Sequence, residues 1–86
     1  MDKQSADYKK LRWRTRRGML ELDMLLEPFF EEAFLNLPKQ QQHTFVELLD
    51  CEDAELLDWF NGKSKPGNEQ IVAMVEMIRA HARRPT

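Results

Sequence analysis

Residues 16–34 read RRGMLELDMLLEPFFEEAF, and the spacing of their apolar residues decides the fold. Leu22, Leu25, Leu26, Phe29, Ala33 and Phe34 recur at intervals of three and four, the stripe of an amphipathic helix with one buried face. Pro28 lies inside this stripe. It lacks a backbone donor, so a kink or a split of the helix is expected there. Gly18 stands at the head of the segment, between a run of cations and a long acidic stretch. A glycine inside a helix costs about 1 kcal/mol against alanine, so it reads either as punctuation between two helices or as a place where a partner's backbone comes close.

Outward from this segment the helical spacing continues. A first helix over Asp7 to about Arg16 carries Tyr8, Leu11 and Thr15 on one stripe. After Asn36–Pro38, Phe45, Leu48 and Leu49 mark a third helix. In CEDAELLDWFNG, Asp53 reads as an N-cap, Leu56, Leu57 and Phe60 as the apolar face, and Asn61-Gly62 as the stop. KSKPGN is the clearest loop. Asn68 then caps a last helix whose Ile71, Met74, Val75 and Ile78 fall at i, i+3, i+4 and i+7. Five short helices and no alternating strand pattern predict an all-α fold, a small five-helix bundle. The 86 residues make one domain, 1–86, with flexible ends expected at 1–6 and 82–86.

Composition narrows the function. Hydrophobic residues at 42% and charged residues at 33% fit a folded soluble domain. The lone Cys51 rules out an intrachain disulfide and, with two histidines, makes a poor metal set; a reducing cytoplasmic setting suits it. No apolar run reaches the length of a membrane span, and MDKQSADYKK has no signal-peptide core. The net charge of −2 conceals an asymmetry along the chain. Lys9, Lys10, Arg12, Arg14, Arg16 and Arg17 form an acid-free run, whereas Gly18 to Phe60 is almost wholly acidic. A dipolar surface suited to a protein partner is expected.

KKLRWRTRR, with Trp13 among arginines, is the pattern of a nucleic-acid contact. The acidic balance of the chain, pI near 5.7, weighs against that reading. His43 and His81 lie on separate helices without nucleophile neighbours, and Cys51 sits among Asp50, Glu52 and Asp53, which disfavour a thiolate. Three scattered glycines form no phosphate loop, so no enzyme and no bound cofactor or metal is expected. Phe29, Phe34, Phe45 and Phe60 read as core. Phe30 is ambiguous, and Trp59 is a candidate half-exposed anchor. At the opening segment, Gly18 can act as a left-handed helix stop, with Arg16 and Arg17 suited to the negative end of the first helix. Glu21 can reach back as the acidic half of a capping box. Periodicity alone supports a small helical interaction domain and no more.

The stretch WRTRRGMLELDMLLEPFF resembles the SdhE-type FAD assembly factors, whose R-G-x-x-E signature falls on Arg17, Gly18 and Glu21. The likeness runs through PFF, FVELLDCED and DWF to the last helix. It implies a five-helix fold and a chaperone for the flavoprotein subunit of succinate dehydrogenase, and of fumarate reductase. In that role the protein promotes autocatalytic covalent FAD attachment within the partner; the sequence itself supplies no dinucleotide site, so no stably bound cofactor is expected. On this resemblance the helix-one/helix-two junction is the docking point. Gly18 admits the partner's backbone and Arg17 donates to its acceptors, while Glu21 caps the helix or pairs with a cation. Arg16, Met19, Leu22 and Trp59 complete the contact set. Members of the family are also described as CptB-like antitoxins, an inhibitory reading that the residues do not separate from the first. A monomer is expected in either case.

Overall fold

The computed structural model describes residues 1–84. Its order is α1 (Ala6–Thr15), α2 (Leu20–Ala33), a 3-10 turn (Phe34–Asn36), α3 (Lys39–Leu49), α4 (Asp53–Phe60) and α5 (Glu69–Arg83). All five expected helices form, with no strand among the described residues. Helix α2 is the centre of the fold, packing against α1, α4 and α5, while α3 packs on α5 and α1.

The core follows from the stripes. Leu22, Leu26, Phe29 and Phe30 of α2 meet Phe34, Phe45, Leu48 and Leu49, Leu56 and Phe60 of α4, and Ile71, Met74, Val75 and Ile78 of α5. Tyr8 closes the cluster from α1, its ring centroid 4.8 Å from that of Phe30. Phe30 in turn lies 4.9 Å from Phe34 and 5.9 Å from Phe45. Tilted and offset aromatic contacts of this kind add to the burial of their apolar area. Phe30, ambiguous in sequence, is therefore core.

Helix α2 runs unbroken through Pro28, so the expected split does not occur. Pro28 and Met24, whose carbonyl the missing donor would have reached, both lie on the exposed flank of the helix, where an unpaired acceptor costs little. At α5 the reading holds in detail. Asn68 Oδ1 accepts from the backbone N–H groups of Gln70 at 2.7 Å and Ile71 at 3.2 Å. At α4 it does not. Glu52 is the N-cap and Asp53 the first helical residue, with its carboxylate directed elsewhere.

Both chain ends carry local structure among the described residues. Ser5 Oγ accepts from the Tyr8 backbone N–H at 3.1 Å, which caps α1. Helix α5 continues through Ala82 and Arg83, and Arg84 pairs with Glu32 of α2 at 2.7 Å. The remaining residues of the expected flexible end, 85–86, lie outside the described residues. No described helix is long and apolar enough to cross a membrane.

Candidate functional site: the α1–α2 junction

Helix α1 ends at Thr15, and Arg16 is already extended at φ −81° and ψ 113°. The chain then crosses Arg17, Gly18 and Met19 before α2 begins at Leu20. Gly18 has φ +79°, a left-handed conformation that other residues enter at a cost of about 1–2 kcal/mol. Its positive φ matches the sequence reading, but its place does not. Gly18 comes two residues after the cap of α1 and so does not stop that helix. It turns the chain between two extended residues, Arg16 and Met19.

Arg17 holds this turn from the inside. Its guanidinium Nε donates to Asp53 Oδ1 at 2.7 Å, Nη1 to the Leu49 carbonyl at 2.8 Å, and Nη2 to the Cys51 carbonyl at 2.8 Å. Nη1 also approaches the Arg14 carbonyl at 3.3 Å. Leu49 is the last residue of α3 and Asp53 the first of α4. The cation thus meets a carbonyl that α3 leaves unpaired at its negative end, together with a carboxylate at the start of the next helix. The planar five-donor fork of arginine suits that set of acceptors. Behind it, the Arg17 backbone N–H donates to Asp23 Oδ1 at 2.8 Å, in the first turn of α2. The Arg17 side chain is only 14% exposed.

Two sequence expectations change here. The donors of Arg17 face acceptors of its own chain, so it fastens the junction from behind. Glu21 makes no capping bond; the carboxylate that reaches back across the helix start is that of Asp23, and no side chain caps Met19 at the head of α2. Glu21 is exposed and lines a groove of about 250 Å³ with Leu57, Phe60, Arg79 and Arg83. Leu22, expected to contact a partner, has 0% exposure because it faces the core. Trp59 is half-buried and packs against that core.

The exposed apolar residues lie on the opposite flank. Trp13 and Leu20 are each 74% exposed and Met24 is 65% exposed, with Met19 beside them. Trp13 lines a groove of about 400 Å³ with Lys9, Arg12, Arg16 and Glu27. An adjoining groove of about 650 Å³ shares Arg16 and Glu27 and includes Leu20 and Met24. Sequence reasoning passed over Leu20 and Met24. The signal was present, since both fall off the Leu22/Leu26/Phe29 stripe and point away from the core.

Folding pairs half of the basic run with carboxylates. Arg12 pairs with Glu31 at 3.2 Å, Arg14 with Asp50, and Arg17 with Asp53. Among the described residues Lys9, Lys10 and Arg16 of that run have no ion pair. Cys51 remains a thiol: burial, and then the carboxylates of Glu55 and Asp50, push it above its ordinary range. No nucleophile with an adjacent base appears at the junction.

The site is a left-handed turn fastened by Arg17 beside an exposed apolar patch. Comparison with known proteins supplies the class. Residues 9–82 match the family described as Sdh5, flavinator of succinate dehydrogenase. The chain is 47% identical over 72 residues to the FAD assembly factor SdhE of Vibrio vulnificus, covering 84% of each chain. It is 46% identical over 77 residues to that of Photobacterium profundum, covering 90% of this chain and 88% of the relative. The solution structure of a UPF0350 protein superposes with a TM-score of 0.73 at 44% identity, covering 90% of this chain and 83% of that one. The chain belongs to the SdhE/Sdh5 family of FAD assembly factors, non-enzymatic chaperones of flavinylation.

Proposed function

We propose that this protein binds the flavoprotein subunit of succinate dehydrogenase in the cytoplasm and promotes the covalent attachment of FAD within it, and that it serves the flavoprotein of fumarate reductase in the same way. Support comes from one observation above the others: the R-G-x-x-E signature forms an exposed left-handed turn that the chain fastens from behind through Arg17. A turn held this way loses little freedom on docking, which favours binding. A side chain at Gly18 would meet nothing of its own protein within 4 Å, so the empty space is available to the partner.

Gly18 is the point of close backbone approach in this reading. Arg16, Met19, Leu20, Met24 and Trp13 surround it with apolar area and one cation, and Glu21 offers a carboxylate on the far side of α2. Trp59 and Leu22 support the patch from within the fold. The protein supplies no reacting group and holds no cofactor of its own. It acts as a single copy that stabilises the partner conformation in which flavin and acceptor residue are aligned, which is population shift together with positioning.

The test is covalent flavin content. The succinate dehydrogenase flavoprotein is expressed with and without this protein, denatured, and read by flavin fluorescence on a gel. Flavin is expected at the flavoprotein band with the wild-type chain and is expected to be lost with Gly18→Glu. Equal signal in all lanes would sink the proposal. The same assay with the fumarate reductase flavoprotein tests the second partner.

A further inference from the structure

We propose that Asp53, outside the R-G-x-x-E signature, is a positioning residue for flavinylation support: through Arg17 it sets the angle at which the Gly18 turn meets the flavoprotein. The inference rests on the partner reading above and extends the working site to the α3–α4 corner.

The Gly18 turn has no packing of its own. It is exposed, and no atom beyond its chain neighbours lies within 4 Å of where its Cβ would be. Its orientation is therefore inherited from its flanks. On the far side is the first turn of α2, reached through the Arg17 N–H to Asp23 Oδ1 bond. On the near side is the Arg17 side chain, and Asp53 is its only charged partner among the described residues.

The Asp53 contact differs in kind from the others that Arg17 makes. The Leu49 and Cys51 carbonyls are backbone acceptors whose places follow from the end of α3. The Asp53 carboxylate is a side chain whose ordinary duty, at the start of a helix, would be to cap it; Glu52 occupies the cap position instead. Asp53 engages Nε, the guanidinium nitrogen nearest the backbone, which fixes how the side chain leaves the main chain beside Gly18. Without it the carbonyls still hold the guanidinium, so the helices persist while the angle of the turn becomes free. A turn presented in its docking geometry for only a fraction of the time binds more weakly by that fraction, with the bound complex unchanged.

The experiment titrates the flavoprotein and FAD with purified factor and reads covalent flavin against factor concentration. Asp53→Ala is expected to raise the half-saturating concentration about three- to tenfold with the same plateau, while far-UV circular dichroism stays helical. Asp53→Asn, which keeps an acceptor oxygen, is expected to fall between the two. Arg17→Met removes every donor and the charge, so adding Asp53→Ala to it is expected to change half-saturation by less than about twofold, as for two residues of one contact. In the free protein, Asp53→Ala is expected to speed amide exchange at Gly18 and Met19 and leave Leu26 and Phe45 protected.

A folded Asp53→Ala or Asp53→Asn with wild-type half-saturation overturns the positioning role while the partner reading stands. Should Asp53→Ala unfold, Asp53→Asn alone decides. Fully additive losses in the double variant also overturn it. A wild-type chain that fails to support flavinylation overturns the partner reading itself, and this role with it.

Discussion

Two glycines of this chain share a backbone conformation and differ in everything around it. Gly18 has φ +79° and Gly62 has φ +74°, and neither has an atom near its missing Cβ. Gly62 closes α4 with bonds made wholly inside its own helix end. Its N–H donates to the Trp59 carbonyl at 3.2 Å, and the Lys63 N–H donates to the Asp58 carbonyl at 2.9 Å. Those two bonds complete a Schellman stop. Gly18 ends nothing, because Arg16 has already left the helix. What holds it comes from α2, α3 and α4, through Arg17. A left-handed glycine that finishes a helix is explained by that helix. One held by bonds to three different helices, with open space above it, is explained by no single helix.

The contrast can be broken most forcefully at Arg17. Arg17→Ala removes the charge-assisted bonds to Asp53, Leu49 and Cys51 and leaves partly buried acceptors unpaired, at a cost of about 2–4 kcal/mol. Thermal unfolding should fall by roughly 10–20 °C on the scale of a domain this size. Flavinylation support should go with it. A melting temperature unchanged from wild type would show that the guanidinium is not a fastening. The bonds to α3 and α4 tie the stability of the fold, and not only a partner contact, to this side chain.

Smaller and more telling is the matched pair Gly18→Glu and Gly62→Glu. Each forces a side chain into a left-handed conformation and should cost about 1–2 kcal/mol by calorimetry or denaturant titration. Only the first should abolish flavin attachment. Equal functional loss in both would return Gly18 to mere punctuation. Asparagine, which tolerates the conformation, should recover stability at both sites. Smallest in stability is Trp13→Ala, expected to shift unfolding by less than about 0.5 kcal/mol because the indole is exposed, yet to weaken flavoprotein binding about tenfold. Unaltered affinity by titration calorimetry would remove the apolar flank from the docking surface.

The helices were legible because each writes its own period. Leu22, Leu26, Phe29 and Phe34 needed no knowledge of the rest of the chain to be placed on one face, nor did Ile71, Met74, Val75 and Ile78. The same locality made the Asn68 cap and the Asn61-Gly62 stop readable. Leu22 shows the limit of reading a motif as a surface: it lies one residue from Glu21, yet helical rotation sends it to the core.

Charge was read less well. Along the chain the basic run and the acidic stretch are separate; in space Arg14 lies on Asp50 and Arg17 on Asp53, because α1 packs against α3. Asp53 has the right residue type and position for a cap, and nothing local distinguishes that duty from the one it performs. The choice depends on a guanidinium 36 residues away.

What the sequence by itself determined was therefore everything whose partners lie within a turn or two: five helices, their buried stripes, two of their ends, and a signature naming a family. Only the tertiary structure decided which groups meet across the chain, and so that Arg17 faces inward, that Leu22 is core, that Trp13, Leu20 and Met24 form one exposed flank, and that the Gly18 turn is held from the α3–α4 corner. The physical reason is range. A helix period and a capping bond are settled between near neighbours, whereas an ion pair or a carbonyl contact exists only where packing of the core has brought distant residues together.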